Sequence, residues 1–266
     1  MKFSIVIANY NSGQYLEEAI LSILNQSCKD YEIIVVDAGS SDKSIEIIEK
    51  YKSHFSWWCS EADKGQSDAF NKGFSHAKGD YFFWLNADDF LLPEALSNAN
   101  KYLTTHKNCL WLTFNTMFVN KNREVLFVNY GPKWINCLMR HAGPQVDAAT
   151  SIFHRTLFEN SQKFDIRLHY MMDLDLWLQF MALGYRYHRL KKYFYAFRIH
   201  KGSKTASNGY NKKLSNQNII REGPIVNKNN GFYPIALVIF VNKIYKLITC
   251  MFFVWINTKK LNGTII

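Results

Sequence analysis

Two periods of apolar residues alternate along the first 107 positions. Runs of consecutive apolar residues are followed by stretches in which apolar side chains return every three or four positions. "FSIVIA" (3–8) reads as a buried strand. "SGQYLEEAILSILNQ" (12–26) follows as an amphipathic helix, with Leu16, Ile20, Ile23 and Leu24 on one face and Ser12 placed to cap it. The same alternation recurs three times. "YEIIVVDAGSSD" is a strand ending in a Gly/Ser turn before helical "KSIEIIEKY". "FSWWCSE" is a strand before helical "SDAFNKGFSHA". "DYFFWLN" is a strand before "PEALSNANKYLTTH", with Pro93 in the first helical turn. Continuous apolar strands separated by helices predict an α/β fold: a Rossmann-like, mostly parallel sheet with helices on both faces.

After residue 108 the pattern loosens. "CLWLTFNTMFVN" and "EVLFVNYG" predict an antiparallel pair joined at "KNR". "QVDAATSIFHRTLFENS" predicts a strand and then a helix. "MMDLDLWLQFMALG" is a helix stopped by Gly184, and "YRYHRLKKYFYAFRIH" a basic, aromatic pair of strands. A polar loop and helix follow, and "VNKNNG" reads as a linker. The chain thus divides into a nucleotide-binding βα half (1–107), an acceptor and catalytic half of the same domain (108–222) and a C-terminal helical appendage (223–266).

In parallel sheets ligands bind outside the carboxyl ends of the strands. Those ends are here Ala8-Asn9-Tyr10, Asp37-Ala38-Gly39, Ser60-Glu61-Ala62-Asp63 and Asn86-Ala87-Asp88-Asp89, and three of the four carry acids. Neither GxGxxG nor GxxxxGK[ST] is present, so phosphates are not expected on a glycine-rich turn. An acidic site needs a divalent cation to hold phosphates, and oxygen ligands suit Mn²⁺ or Mg²⁺.

Charge sharpens the division. Residues 1–100 carry a net −7 and residues 101–266 a net +17, which points to an anionic partner for the second half or to a merely basic surface. The five cysteines form no CxxC pair and read as reduced packing residues of a cytosolic protein. No export signal is visible at the N-terminus. The stretch "FYPIALVIFVNKIYKLITCMFFVWIN" (232–257) approaches a membrane span in length. Asn242, Lys243 and Lys246 interrupt it and, with Thr249, fall on one helical face. That pattern predicts a helix lying in a membrane surface; a helix packed on the domain is the other reading.

Five segments occur in an order that resembles family-2 glycosyltransferases of the GT-A fold, in particular bacterial members that build cell-surface polysaccharides. They are "FSIVIANYN", "VVDAGSSD", "SEADKGQSDAFNKG", "WLNADD" and "MMDLDLWLQ", and the resemblance covers about residues 2 to 200. It implies an inverting, metal-dependent transferase of the hexosyltransferase type. The partners it implies are a nucleotide-sugar donor and a saccharide acceptor, lipid-linked in this reading, at the inner face of the cell membrane. Asp37 and Asp63 would flank the nucleotide base, with Ala8, Tyr10 and Asp68 completing the donor site. Asn86 would take the ribose position, where the family usually has Asp. Asp88 would hold the metal, with His200 of "FRIHKGSKT" beside the metal or the diphosphate. Asp173 would be the catalytic base, and Met172 stands where the family usually has Glu.

The chemistry agrees with these residue types. A carboxylate-bound cation stabilises a leaving diphosphate, and a carboxylate base on the incoming hydroxyl gives direct displacement with inversion. Plainer readings stand beside each choice. Asp89 is read as a helix cap, and Asp37 can bond its own turn. Asp173 and Asp175 both suit a helix N-terminus. His200 can be an ordinary histidine, and Trp57 and Trp58 are read as core. A nucleotidyltransferase would show a glycine-rich loop near the N-terminus. A nucleic-acid-binding protein would show basic aromatic motifs on a sheet face. The glycine-rich loop is absent, and the best-organised half is acidic at its strand ends, so both stand as alternatives and no nucleic-acid partner is expected.

Overall fold

A computed structural model describes residues 3–130, 148–203, 212–231 and 258–266, with isolated positions between 240 and 244. Nine strands form one sheet in the order β3-β2-β1-β4-β8-β6-β9-β5, with β7 paired to β6. The first half supplies β1 (Phe3–Asn9), α1 (Gly13–Leu24), β2 (Tyr31–Asp37), α2 (Ser44–Tyr51), β3 (Trp57–Ser60), α3 (Gln66–Ser75), β4 (Tyr81–Asn86), β5 (Phe90–Leu91) and α4 (Ala95–Thr105). The second supplies β6 (Trp111–Val119), β7 (Val125–Asn129), β8 (Ser151–His154), α5 (Arg155–Glu159), α6 (Met172–Ala182), β9 (His188–Arg198) and α7 (Lys212–Asn230).

Strands β3, β2, β1 and β4 are mutually parallel. Residues of both parities in β1 and β2 are buried, so both faces of this part of the sheet are covered, which is why these strands read as continuous apolar runs. Register aligns their ends. Asn86, Ala8, Val36 and Cys59 form one row across four strands, and Asn9, Asp37 and Ser60 form the next. Every expected parallel-strand terminus therefore arrives at one edge.

Helix α3 lies tightly on this sheet at Gly73. A Cβ there would come within 2.4 Å of Val6 Cγ1 and 3.3 Å of Val36 Cγ2. Beyond β4 the core is aromatic. Trp177 of α6 stacks on Trp84 at 5.5 Å and on Trp111 at 5.1 Å between ring centroids. Phe70, Phe74, Phe82, Phe153, Phe158 and Phe164 pack around this seam. Such ring pairs contribute roughly 0.5–1.5 kcal/mol each beyond the area they bury. The helix that carries Asp173 is thereby seated on the sheet from below.

Several local expectations are corrected. Ser12 makes no side-chain cap; Asp42 Oδ2 accepts from Gly13 N–H instead, and ties α1 to the second turn. Helix α4 starts at Ala95 behind a left-handed Glu94, so Pro93 precedes it. "YRYHRLKKYFYAFRIH" holds one long strand rather than two: β9 runs parallel to β6 and antiparallel to β5, with register shifts near Asn115. Residues 226–230 of the expected linker close α7. The chain end is pinned to the β6–β7 hairpin. Gly263 N–H donates to the Val125 carbonyl, Thr264 accepts from Val125 N–H, and Leu261 and Ile266 pack beside Val119, Val125 and Val128. The stretch 232–257, where an interfacial helix is expected, lies almost wholly outside the described residues.

Replacing Gly73 by Ala should test the α3 contact. Helix propensity alone favours Ala by about 1 kcal/mol. Val6 is fully buried and cannot yield, so overpacking should reverse that gain and cost about 1–3 kcal/mol. Urea unfolding would read the difference, and a Gly73→Ala protein as stable as the wild type would contradict the described packing.

Candidate active site

The site is built at the turn after β4, where two carboxylates adjoin. Their side chains go opposite ways. Asp89 is 1% exposed and turns inward. It accepts from Arg198 N–H at 2.7 Å, from Asn86 Nδ2 at 2.8 Å and from the Tyr195 hydroxyl. Burial, and then the neighbouring charge of Asp88, push its carboxyl well above the usual carboxylate range. Asp89 is therefore a buried structural group, not the helix cap expected from sequence. Asp88 turns outward, and its Oδ2 meets His200 Nε2 at 3.0 Å, with side chains 24% and 18% exposed.

Arg198, itself 1% exposed, holds both residues from beneath. Its Nε donates to the Asp88 carbonyl and a terminal nitrogen to the Lys121 carbonyl, while its guanidinium pairs with Glu18. The guanidinium also lies 4.7 Å from the Tyr15 ring centroid and 5.2 Å from that of Phe90. Tyr15 in turn packs on the His200 ring. The Gly202 N–H donates to His200 Nδ1. That bond leaves the ring proton on Nε2, which then donates to Asp88.

The neighbouring strand ends lie along the same edge. Asp37 is fully buried and accepts from Asn9 Nδ2, Ser40 Oγ, Ser60 Oγ and the N–H groups of Gly39 and Ser40. Burial opposes ionisation there, but these donors prevail and hold the carboxyl below its usual value. With five donors on two oxygens, Asp37 builds the turn that underlies the expected base site. Ala8 lies in the row before Asp37's, level with Asn86, and Tyr10 projects 64% exposed from the end of β1. Asp63, whose carboxyl burial pushes upward, accepts from Gly65 N–H, and Asp68 accepts from Lys64 N–H. Asn86 accepts from Gln66 Nε2 and donates to Asp89 and to Tyr195, so its amide is engaged within the protein.

On the other flank Asp173 and Asp175 separate as well. Asp175 is fully buried and accepts from Gln179, Asn229 and Asn230, which bolts α6 to α7. Asp173, on the same first turn, is only partly buried. Met172 is buried with its sulfur 3.2 Å from Ser67 Oγ, so packing occupies the position where the family usually has Glu. Sequence reasoning missed Arg198, Tyr195 and Glu222. The first two were visible only as a charge and a ring within the apolar run "YFYAFRIH".

The sequence profile described as "Glycosyl transferase family 2" matches residues 4–158, more than half of the chain. The chain belongs to glycosyl transferase family 2. Its relatives include the Escherichia coli protein named UDP-Glc:alpha-D-GlcNAc-diphosphoundecaprenol beta-1,3-glucosyltransferase WfaP, which is 27% identical across 82% of this chain and 85% of WfaP. Among solved structures, S. aureus TarS 1-349 in complex with UDP-GlcNAc aligns with a TM-score of 0.64 at 23% identity over 78% of this chain. The Pyrobaculum calidifontis mannosyltransferase PcManGT in complex with GDP-Man and Mn2+ aligns with a TM-score of 0.59 at 19% identity over 82%. These likenesses give the family 2 chain the GT-A fold. It spans 61% of that TarS chain, 63% of the PcManGT chain and 59% of an uncharacterized Rickettsia typhi glycosyltransferase.

The buried network around Arg198 and the outward-facing Asp88 predict stability losses of different size. Arg198→Met strips donors from buried acceptors and should cost about 3–5 kcal/mol in urea unfolding. Asp88→Asn changes a partly exposed pair and should cost under about 1 kcal/mol. Equal losses in the two variants would contradict the assignment.

Proposed function

We propose that this protein transfers a sugar, with inversion, from a nucleotide-diphosphate donor to a hydroxyl of a saccharide acceptor. The observation that carries this reading is the Asp88–His200 pair, set at the strand-end edge along which Asp63 and the exposed Tyr10 also lie. The base lies between Tyr10 and Asp63, on the turn that Asp37 shapes. The diphosphate lies toward Asp88.

The donor set at Asp88 fits a divalent cation. One carboxylate oxygen and one imidazole nitrogen stand together, partly exposed, and substrate phosphates complete such a site where the protein supplies few ligands. Among the described residues no group of three or more His, Cys, Asp or Glu could hold an ion alone. Asp88 would hold it, and His200 would join it as the tautomer that carries the ring proton on Nδ1. The ion, Mn²⁺ or Mg²⁺, supplies charge neutralisation for the departing diphosphate. Asp173 takes the proton from the acceptor hydroxyl, and its position on the firmly seated α6 fixes the line of attack. Asp175, buried and bonded to Gln179, Asn229 and Asn230, is read as structural. The name of WfaP supports a lipid-linked saccharide acceptor for this chain, in cell-surface polysaccharide synthesis, and TarS bound to UDP-GlcNAc supports a nucleotide-sugar donor.

An acceptor of that kind sits at a membrane, and the chain reads as peripheral on its cytoplasmic face. No helix among the described residues is long and apolar enough to cross. Both flanks of the apolar stretch 232–257 are fastened to the same domain: Asn229 and Asn230 to Asp175, and residues 258–266 to the β6–β7 hairpin. One crossing would put those flanks on opposite sides. Two crossings need about 40 residues, more than this stretch has. We read the stretch as lying in the membrane surface, with packing against the domain as the other reading.

Two outcomes check the reading. In a panel of nucleotide sugars, one donor plus Mn²⁺ should raise the melting temperature, and EDTA or Asp88→Ala should abolish the rise. With that donor, Asp173→Asn should keep binding while turnover falls ~10²–10⁴-fold. Turnover that survives EDTA, or an Asp173→Asn enzyme at full rate, would refute the assigned roles. For the membrane, flotation with anionic liposomes should carry the full-length protein upward, less so in high salt. Protein that stays at the bottom of the gradient would favour the packed placement.

A further inference from the structure

The segment 161–171 lies between the donor-side helix α3 and the helix α6 that carries Asp173. Its front is fastened to α3. Asn71 and Phe164 exchange two hydrogen bonds, Asn71 Nδ2 donating to the Phe164 carbonyl and Phe164 N–H to Asn71 Oδ1. Ser67 Oγ donates to the Leu168 carbonyl at 2.7 Å. The His169 ring lies directly on Gly65, 3.1 Å from where a Cβ would stand, and Gly65 has a φ of +106° that other residues rarely adopt.

Its back is fastened to Glu222 of α7. This carboxylate is fully buried and accepts from three consecutive N–H groups: His169 at 3.2 Å, Tyr170 at 2.9 Å and Met171 at 3.0 Å. Arg221 donates to it as well. Burial disfavours the ionised form, but these donors outweigh it and hold the carboxyl below its usual value. Burying an ion is costly, and an apolar side chain would join two helices at lower cost. Glu222 also stands where α7 is weakest, next to Gly223 and Pro224, the latter without an N–H. A carboxylate at this point does what an apolar contact cannot: it fixes the direction of three amides immediately before the first turn of α6.

We propose that Glu222 is a positioning residue for the transfer reaction, aiming Asp173 through the 169–171 backbone while laying His169 on Gly65 of the donor segment. The inference rests on the reading of Asp173 as the base. Glu222 touches no substrate, so its removal should leave the donor bound and the acceptor attack misaligned. A misplacement of about 1 Å at a reacting group lowers rate by up to about 10²-fold.

The test is a comparison of Glu222→Gln, Glu222→Asp and Asp173→Asn in the full chain, with the donor found by thermal shift. Glu222→Gln should lower kcat about 10- to 100-fold while the donor KM stays within about twofold. Glu222→Asp, which keeps the charge, should recover part of the loss, and it decides the matter by the same readout if the Gln variant does not fold. Wild-type kcat in both Glu222 variants, with Asp173→Asn inactive, overturns the positioning role alone. An active Asp173→Asn overturns the base assignment beneath it. Loss of kcat in step with donor affinity and melting temperature also overturns the proposal, because it marks a purely structural residue.

Discussion

The turn after β4, on which the proposed site is centred, depends on one buried cation. Arg198 arrives at the end of β9 and is stripped of water beneath the turn that follows β4. An unpaired guanidinium there would be prohibitively costly. Glu18, two backbone carbonyls and two aromatic faces satisfy it instead. The same residue's N–H draws Asp89 inward, which leaves Asp88 as the only one of the two acids facing the cleft. Two adjacent like charges are tolerable because one is buried, satisfied and shifted toward its neutral form.

The second constraint is the aromatic seam. Trp84, Trp111 and Trp177 hold α6 against the sheet, and α3 is held by the close approach of Gly73 to Val6. Between these two helices runs the 161–171 segment, hydrogen-bonded to α3 on one side and to Glu222 on the other. The two flanks of the proposed site are thus parts of one packed body. Preorganised groups of this kind contribute to rate by avoiding reorganisation at the moment of reaction.

The parallel half was legible because strands covered on both faces write continuous apolar runs and the strand ends carry their acids in sequence. The β6–β7 hairpin and the helix 172–182 were equally plain. Strand β9 was misread as two because Lys191 and Lys192 are exposed and break its apolar run, while its partners set one continuous ladder. The inward turn of Asp89 was illegible because its partners, Tyr195 and Arg198, lie more than a hundred residues away. Glu222 was hidden for a different reason: "REGP" reads as a helix end, and the amides that override that signal belong to another segment.

The central claim is that the outward-facing Asp88, with His200, marks where metal and diphosphate meet. Crystals grown with a nucleoside diphosphate and Mn²⁺, measured at the manganese absorption edge, test it most directly. The account predicts one anomalous peak bridging the diphosphate and Asp88, with His200 alongside and Asp89 still buried on Arg198. A nucleotide bound with its metal away from Asp88, or Asp89 swung out to ligate, would contradict it.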